Sequence, residues 1–408
     1  MTIFDLLKRQ SHLLPARIHA VAVEKKVSRT LSNTTPAPTA VVEFAVFFAD
    51  GPSQSYQLEQ WVAPFEALQK RGYGVCLLVM NALTARKLNR QTNLPILLTR
   101  SMEQIETALA SWNTLGIFYV NNSQANFTML RFNGPAHIHL SHGESEKSSM
   151  VSNQLKAYDF AFIAGLAARR RIMANVARID PAKLIEIGRP QLDVQFARPA
   201  ALRTNPRIRV LYAPTWEGDG QNMAYSSIVS IGAKLVTALL SDERFTVVFR
   251  PHPKTGSSSV EARHELGRIR KAITTAIHRT PDAGHFVDRA VDSSLSIYDA
   301  DIVLCDISAM AMDSVGLNKP LMLLYTFPTT MTDDLAIRQS VSTQDASRML
   351  AEENGNPLLS IIATLSKSEP PQQQQALRDV IFGDPALGSA TERFIDATLT
   401  VTSAADRP

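Results

Sequence analysis

The chain has 408 residues, 45% of them hydrophobic and 20% charged, which describes a globular protein with more than one core. No apolar run approaches the roughly 18 residues that span a bilayer, and the opening M-T-I-F-D-L-L-K-R-Q lacks the apolar region and cleavage site of a signal peptide. The net charge of +4 lies in residues 1–40, where Lys8, Arg9, Arg17, Lys25, Lys26 and Arg29 face only Asp5 and Glu24. The rest is balanced, which excludes a nucleic-acid-binding body. The two cysteines, Cys76 and Cys305, fall in strand-like runs, as buried thiols of a reduced, cytosolic protein do, and exclude a disulfide framework or a cysteine zinc site.

In chain order, Ile3, Leu6, Leu7, Leu14, Ile18, Val21 and Val27 recur at loosely helical spacing, broken by Pro15. This basic arm suits either a helix lying on an anionic membrane surface or a segment packed on the body. Residues 32–40 read as a linker. From Val41 strands and helices alternate. Strands are expected at Val41–Phe48, Gly74–Met80, Pro95–Leu98, Gly116–Val120, Ala136–Leu140, Asp159–Ala164 and Leu184–Ile187. Helices are expected at Tyr56–Lys70, near Leu83–Asn89, at Met102–Trp112, briefly after Asn121-Asn122-Ser123, and in the Arg-rich Leu166–Val176. Alternation of this kind predicts a mostly parallel sheet covered on both faces.

The rhythm lapses at Gly188–Pro206, the expected junction, and resumes with strand Ile208–Tyr212, helix Ser226–Leu240, strand Thr246–Phe249 and helix Val260–Ala276. Strand Ile302–Cys305 then leads to a helix that starts at Ser308 and runs to Val315, with Gly316 as its left-handed exit. Strand Pro320–Tyr325 follows. Tail helices are expected near Gln344–Glu353, Pro357–Leu365 and Gln373–Ile381, with a last helix, Ser389–Thr398, able to pack back across the junction. The division is therefore residues 1–40 as arm and linker, 41–200 as one domain and 201–408 as another.

Four stretches at strand ends carry candidate chemistry. In His139–Lys147, Gly143 permits a tight turn that projects the His142 ring from the sheet edge, where a histidine suits general-base work. In Leu211–Glu217, Thr215 and Trp216 offer a hydroxyl and an aromatic face, although Trp216 suits the core equally well. In Phe249–Lys254, two prolines bracket His252 beside Arg250 and Lys254, an arrangement fit for an anionic ligand. In the fourth, Asp306 and Ser308 sit between a strand and a helix, where backbone N–H groups favour phosphate. The nine histidines show no H-E-x-x-H, and His137 and His139 share a strand face without a completing carboxylate, so no metal site is expected. Nucleophile-elbow, Walker and G-x-G-x-x-G motifs are absent from the sequence, which counts against hydrolase, ATPase and dinucleotide readings.

Taken in order, these stretches resemble the CDP-glycerol glycerophosphotransferases, the teichoic-acid-type polymerases and primases of bacteria. The family's H-G-T-P-L-K, Y-A-P-T-W, R-x-H-P and D-Y-S-S-x-x-x-D stretches correspond to His142–Lys147, Tyr212–Trp216, Arg250–Pro253, and Asp306, Ser308 and Asp313. Gly188-Arg189-Pro190 with Asp193 resembles its G-x-P-R-x-D, and Ser389 with Arg393 its closing G-x-x-S-x-R. Glu144, Ser145 and Glu146 replace T-P-L, and Ala309 replaces the second serine, as in an actinobacterial branch.

The resemblance implies an α/β, GT-B-like fold of two facing Rossmann-type domains with parallel sheets. It implies transfer of glycerol phosphate, or a related polyol phosphate, from a CDP-activated donor to a hydroxyl of a cell-wall or capsule polymer, releasing CMP. His142 and His252 would be catalytic. Arg250, Lys254, Asp306, Ser308, Asp313, Thr215, Ser389 and Arg393 would hold the donor, with Gly143, Glu144 and Lys147 on the acceptor side. No cofactor is expected, because cationic side chains can do what Mg²⁺ otherwise does, though Mg²⁺ is compatible with the scheme. The expected partners are the CDP-activated donor, a lipid-linked or polymeric acceptor and, through the arm, the inner face of the membrane. The alternatives are a nucleotide-sugar glycosyltransferase on the same fold and a non-catalytic binding module of that pathway.

Overall fold

The computed structural model describes residues 26–27, 29–31, 40–99, 101–141, 143, 151–196, 205–218, 226–290, 293–326, 340–352, 356–370, 372–383 and 389–403. A first sheet of seven parallel strands contains β1 (Phe44–Phe48), β2 (Val75–Val79), β3 (Ile96–Leu98), β4 (Gly116–Tyr119), β5 (Ala136–His139), β6 (Phe160–Ile163) and β7 (Leu184–Glu186), in the order β3-β2-β1-β4-β5-β6-β7. β1 and β2 are buried at every position, which is why they read as unbroken apolar runs rather than alternating ones. A second sheet of six parallel strands contains β8 (Ile208–Ala213), β9 (Phe245–Phe249), β10 (Phe286–Val287), β11 (Ile302–Cys305), β12 (Leu321–Tyr325) and β13 (Ser340–Ser342), in the order β10-β9-β8-β11-β12-β13. Each sheet reverses strand order once, between β1 and β4 and between β8 and β11. Such switch points open a crevice beyond the strand ends.

Several elements depart from expectation. The helix expected over Tyr56–Lys70 is two, Tyr56–Glu59 and Val62–Lys70. Pro64 has no N–H for the Gln60 carbonyl and is tolerated only in a first turn, so the helix restarts ahead of it. The helix after Ser308 ends within Gly316, and Asn318, at φ 52°, takes the left-handed exit instead. The expected helix from Ser226 opens with a π turn at Ile228–Gly232 before its α portion, Ala233–Ser241. Helix Pro190–Phe196 lies inside the expected junction, its proline at the first helical position. Strands β10 and β13 are too short to leave a periodic signature.

The arm's end is packed. Val27 and Leu31 are buried in the core of the first sheet, while residues 1–25 lie outside the described ones. Both cysteines are buried, and burial pushes the Cys76 thiol up to about 12. No helix among the described residues is long and apolar enough to cross a membrane.

Four contacts tie the two halves together. The last helix, Ala390–Val401, returns to the first sheet, where the Phe394 ring packs 5.6 Å from Trp61 and 5.7 Å from Phe118. Its first N–H groups, those of Ala390 and Thr391, donate to Asp193 at 3.2 and 2.6 Å, an anion placed at a helix N-terminus. Its Arg393 fills the space beside Gly188, where a Cβ would lie 2.1 Å from the guanidinium, so only glycine fits at that φ of +79°. Finally, Arg189, after β7, pairs with Asp313 of helix Ala309–Gly316 through Nε–Oδ1 at 3.0 Å and Nη2–Oδ2 at 3.3 Å, both side chains almost fully buried.

Removing one partner of such a pair strands a buried charge, at a cost of roughly 3–5 kcal/mol. Asp313→Ala is expected to lower unfolding stability by about 3 kcal/mol in urea titration. The double variant Arg189→Met/Asp313→Leu is expected to recover most of it, and an equal loss in both would show that the pair is not the source.

Candidate active site

The carboxyl edge of the second sheet is organised by Asp306, which has no exposed surface. Its carboxylate accepts the N–H of Thr215 at 2.7 Å and of Ser227 at 3.2 Å, tying the end of β11 to the end of β8 and to the helix beyond. Ser308 stands at the N-cap of helix Ala309–Gly316. Its hydroxyl donates to the Asp306 carbonyl at 3.1 Å rather than accepting an early helix N–H. Thr215 and Ser308 are both buried, and Asp313, expected among the donor ligands, is occupied by Arg189.

His252 is held from three sides. Its ring stacks on Trp216 at 6.2 Å and 23°, and it meets Tyr56 edge-on at 5.8 Å and 84°. Its Nδ1 accepts the Lys254 N–H at 3.1 Å, so the neutral ring carries its proton on Nε2 and presents a donor there. Trp216 is only half-buried and so is not a core residue, and the Lys254 ammonium lies 4.8 Å from its ring centroid. Tyr56 precedes β2 whereas Trp216 and His252 follow β8 and β9, so the cluster spans both halves of the molecule.

Glu217 fixes this loop from below. Its carboxylate accepts the N–H groups of Gly256 at 3.0 Å, Ser258 at 2.9 Å and Ser259 at 3.1 Å, just ahead of helix Val260–Arg279. Burial alone would raise its pKa, but the backbone donors outweigh burial and hold the group below the ordinary glutamate value. Arg250 donates to Asp288 at 2.6 Å, Ser296 at 3.3 Å and the Ala290 carbonyl at 2.8 Å. Burial raises the Asp288 pKa, while Ser296 and Arg250 pull it down further and leave it lowered.

On the first sheet, Gly143 reaches across to the second half, where a Cβ added to it would lie 3.2 Å from Ala309 Cβ and 4.0 Å from Arg189 Nη2. His142, Glu144 and Lys147 lie outside the described residues. Ser141, at φ 59°, begins this turn, and its carbonyl accepts the Trp61 indole N–H at 2.6 Å. His137 and His139 point into the core. His137 bonds Tyr119 at 2.7 Å and the Phe132 carbonyl at 2.8 Å, and burial lowers its pKa. His139 Nε2 lies 3.0 Å from Asn122 Oδ1. Among the described residues no cluster of three or more His, Cys, Asp or Glu is placed to hold a metal. Ser389 and Arg393 belong to the returning helix, Ser389 accepting the Glu392 N–H at 3.2 Å and Arg393 donating to the Ile187 and Phe382 carbonyls.

The structure thus brings Trp216, His252 and Lys254 together from the loops after β8 and β9, and Thr215, Asp306 and Ser308 at the neighbouring strand ends. Ser389 and Arg393 sit on the helix that joins the halves. Sequence reasoning missed Tyr56, Asp288 and the pinning role of Glu217, and it quoted Arg189 without assigning it a task. The bracketing of Glu217 by Trp216 and Gly218 offered the only local signal.

Residues 117–329 match the family described as CDP-glycerol:poly(glycerophosphate) glycerophosphotransferase. The chain belongs to this family. The match runs from β4 to just past β12 and so spans both sides of the cleft. No curated protein matches the sequence. Among solved structures, the wall teichoic acid polymerase TagF is similar over 100% of both chains at 15% identity and a TM-score of 0.57. The UDP-GlcNAc 2-epimerase from Neisseria meningitidis bound to UDP-GlcNAc is similar over 88% of this chain and 99% of its own, at 13% identity and a TM-score of 0.51. At these identities the likeness is one of fold, and the fold is the expected GT-B-like pair of facing parallel-sheet domains.

Because the folded pKa of Glu217 is depressed, its stabilising effect is complete above the ordinary value of 4.5 and is lost as pH falls through the lower folded value. Glu217→Gln is therefore expected to melt at lower temperature than the parent at pH 7. The gap should close in strong acid, and a pH-independent gap would mean that packing, not charge, carries the effect.

Proposed function

We propose that the protein transfers glycerol phosphate from CDP-glycerol to a hydroxyl of a poly(glycerophosphate)-type acceptor of teichoic acid synthesis, releasing CMP. Family membership supplies the reaction class. The observation that carries the reading is the approach of Gly143, the residue after His142 in the chain, to Ala309 at the start of the helix that follows Ser308. An acceptor held by residues 41–200 and a donor held by residues 201–408 would meet at that contact.

In this reading the acceptor oxygen attacks the β-phosphorus, the bond to CMP breaks, and His142 takes the hydroxyl proton. A positioned base supplies about 10²–10⁴-fold, the rest coming from alignment and charge stabilisation. His252, whose Nδ1 is taken by the Lys254 N–H, would donate from Nε2 to phosphate or to departing CMP. Lys254 on its Trp216 platform adds positive charge, and Ser308 with the following helix start faces the pyrophosphate. Arg250 acts at longer range, its guanidinium being engaged by Asp288. Thr215 and Asp306 shape the pocket through their mutual hydrogen bond, and Asp313, Ser389 and Arg393 hold the two halves in register.

Incubation with CDP-glycerol and a short glycerol-phosphate acceptor is expected to release CMP and lengthen the acceptor by one glycerol phosphate unit per turnover. His252→Ala is expected to lose about 100-fold or more in kcat/KM with its melting temperature unchanged. Consumption of a UDP-sugar without CMP release would favour the glycosyltransferase alternative. Loss of the fold in His252→Ala would make that residue structural.

The reading includes a cytoplasmic protein attached peripherally to the inner membrane face through the basic arm. A polybasic segment gains about 1 kcal/mol per Lys or Arg near anionic lipid. Because Val27 and Leu31 are core residues, the informative truncation removes residues 1–24 and leaves them in place. The full chain is expected to sediment with anionic vesicles in a salt-sensitive way and the shortened one to remain in solution. Equal sedimentation of the two would remove the arm as anchor.

A further inference from the structure

A cavity opens in the first half of the molecule between the ends of β5, β6 and β7 and helix Leu166–Asn175. It lies beside Ser141 and Gly143, and its polar lining includes Arg171, Arg189 and Gln191. Among its described lining residues there is no carboxylate. The orientation of Gln191 is decided by its neighbour. Arginine only donates, so the Gln191 oxygen must be the atom that accepts from Arg189 Nη1 at 3.1 Å. The other end of the amide, Nε2 with its two N–H donors, is then buried with no hydrogen-bond partner.

Arg189 spends Nε and Nη2 on Asp313 and one Nη1 donor on Gln191, which leaves part of its five-donor fork for a further acceptor. Arg171 adds a second guanidinium, and Leu155 and Ile172 supply an apolar wall. The unpartnered Gln191 amide donors, beside two guanidinium groups and against a hydrocarbon surface, fit an oxyanion carried on a short carbon chain.

We infer that this cavity binds a phosphate group of the acceptor chain, holding it through Arg171, Gln191 and Arg189. The inference rests on the transferase reading given above and adds where the acceptor is gripped. The cavity is built wholly from residues before β8, whereas Thr215, His252 and Ser308 lie in the second half, so a phosphate bound here is not the donor's pyrophosphate. Gly143 forms part of its rim, and His142 is the adjacent residue in the chain. A phosphate anchored in the cavity therefore sets the next polyol of the acceptor beside the turn from which the base would act. Such a site prefers an acceptor that already ends in a phosphodiester over a neutral glycerol.

The test is direct binding of sn-glycerol 3-phosphate to the full chain by calorimetry, with CDP measured in parallel. The parent is expected to bind both. Arg171→Met and Gln191→Leu are each expected to weaken sn-glycerol 3-phosphate by about tenfold or more, the effect of losing a hydrogen bond to a charged group, and to leave CDP affinity unchanged. Arg171→Lys, which keeps the charge, should retain most of the binding and guards against a folding defect in the methionine variant. In turnover, the KM for a phosphate-terminated acceptor should rise in both variants while that for a glycerol-terminated acceptor stays put. Unchanged sn-glycerol 3-phosphate binding in both variants would overturn the site, and a parallel loss of CDP affinity would assign the cavity to the donor instead. If CDP-glycerol is not turned over at all, the transferase reading fails while the binding measurement still decides whether the cavity takes phosphate.

Discussion

A carboxylate and a guanidinium buried together between two sheets control how the rest of this molecule meets. Arg189 and Asp313 come from opposite halves, and each would carry a heavy desolvation penalty alone. Their two parallel contacts offset that penalty only in one geometry, so the pair acts as a registration device more than as a source of stability. Its position explains the reach of the effect. Arg189 also orients Gln191 and lies against Gly143, and Asp313 sits on the helix whose first residue, Ala309, receives that glycine. A shift of either half by an ångström would open the contact between Gly143 and Ala309.

Three other carboxylates serve the backbone. Asp306, Glu217 and Asp193 each accept two or three backbone N–H groups. Each fixes a loop where a strand ends or a helix begins, and each meets orphan donors that would otherwise need water. Lys254 rests on an aromatic face, which holds the ammonium without cancelling its charge. Arg250, by contrast, is drawn to Asp288 and works through a shared hydrogen-bond set.

The division of labour between the halves follows from this wiring. Aromatic and cationic groups gather at the ends of β8 and β9, where the proposed reading puts the donor. A cavity with unpaired amide donors sits at the ends of β5 to β7. The two are joined by a narrow contact of small residues, Gly143 against Ala309, at which a side chain of any size on either partner would push the halves apart.

What the amino-acid sequence determined alone was the class of fold and the family. Continuous apolar runs such as Phe44–Phe48 and Val75–Val79 mark strands buried on both faces, and the ordered motifs from His142 to Asp313 mark the reaction class. These are local signals, set by backbone propensity and by neighbours a few residues apart. Only the tertiary structure decided what each motif residue touches. Asp313 and Arg189 are 124 positions apart, and Tyr56 meets His252 across a still longer stretch of chain. Nothing in their local sequence distinguishes a phosphate ligand from an ion-pair partner or a helix-start tyrosine from a wall of the site. Those identities depend on which side chains compete for the same donors once the sheets face each other, and that competition exists only in the folded molecule.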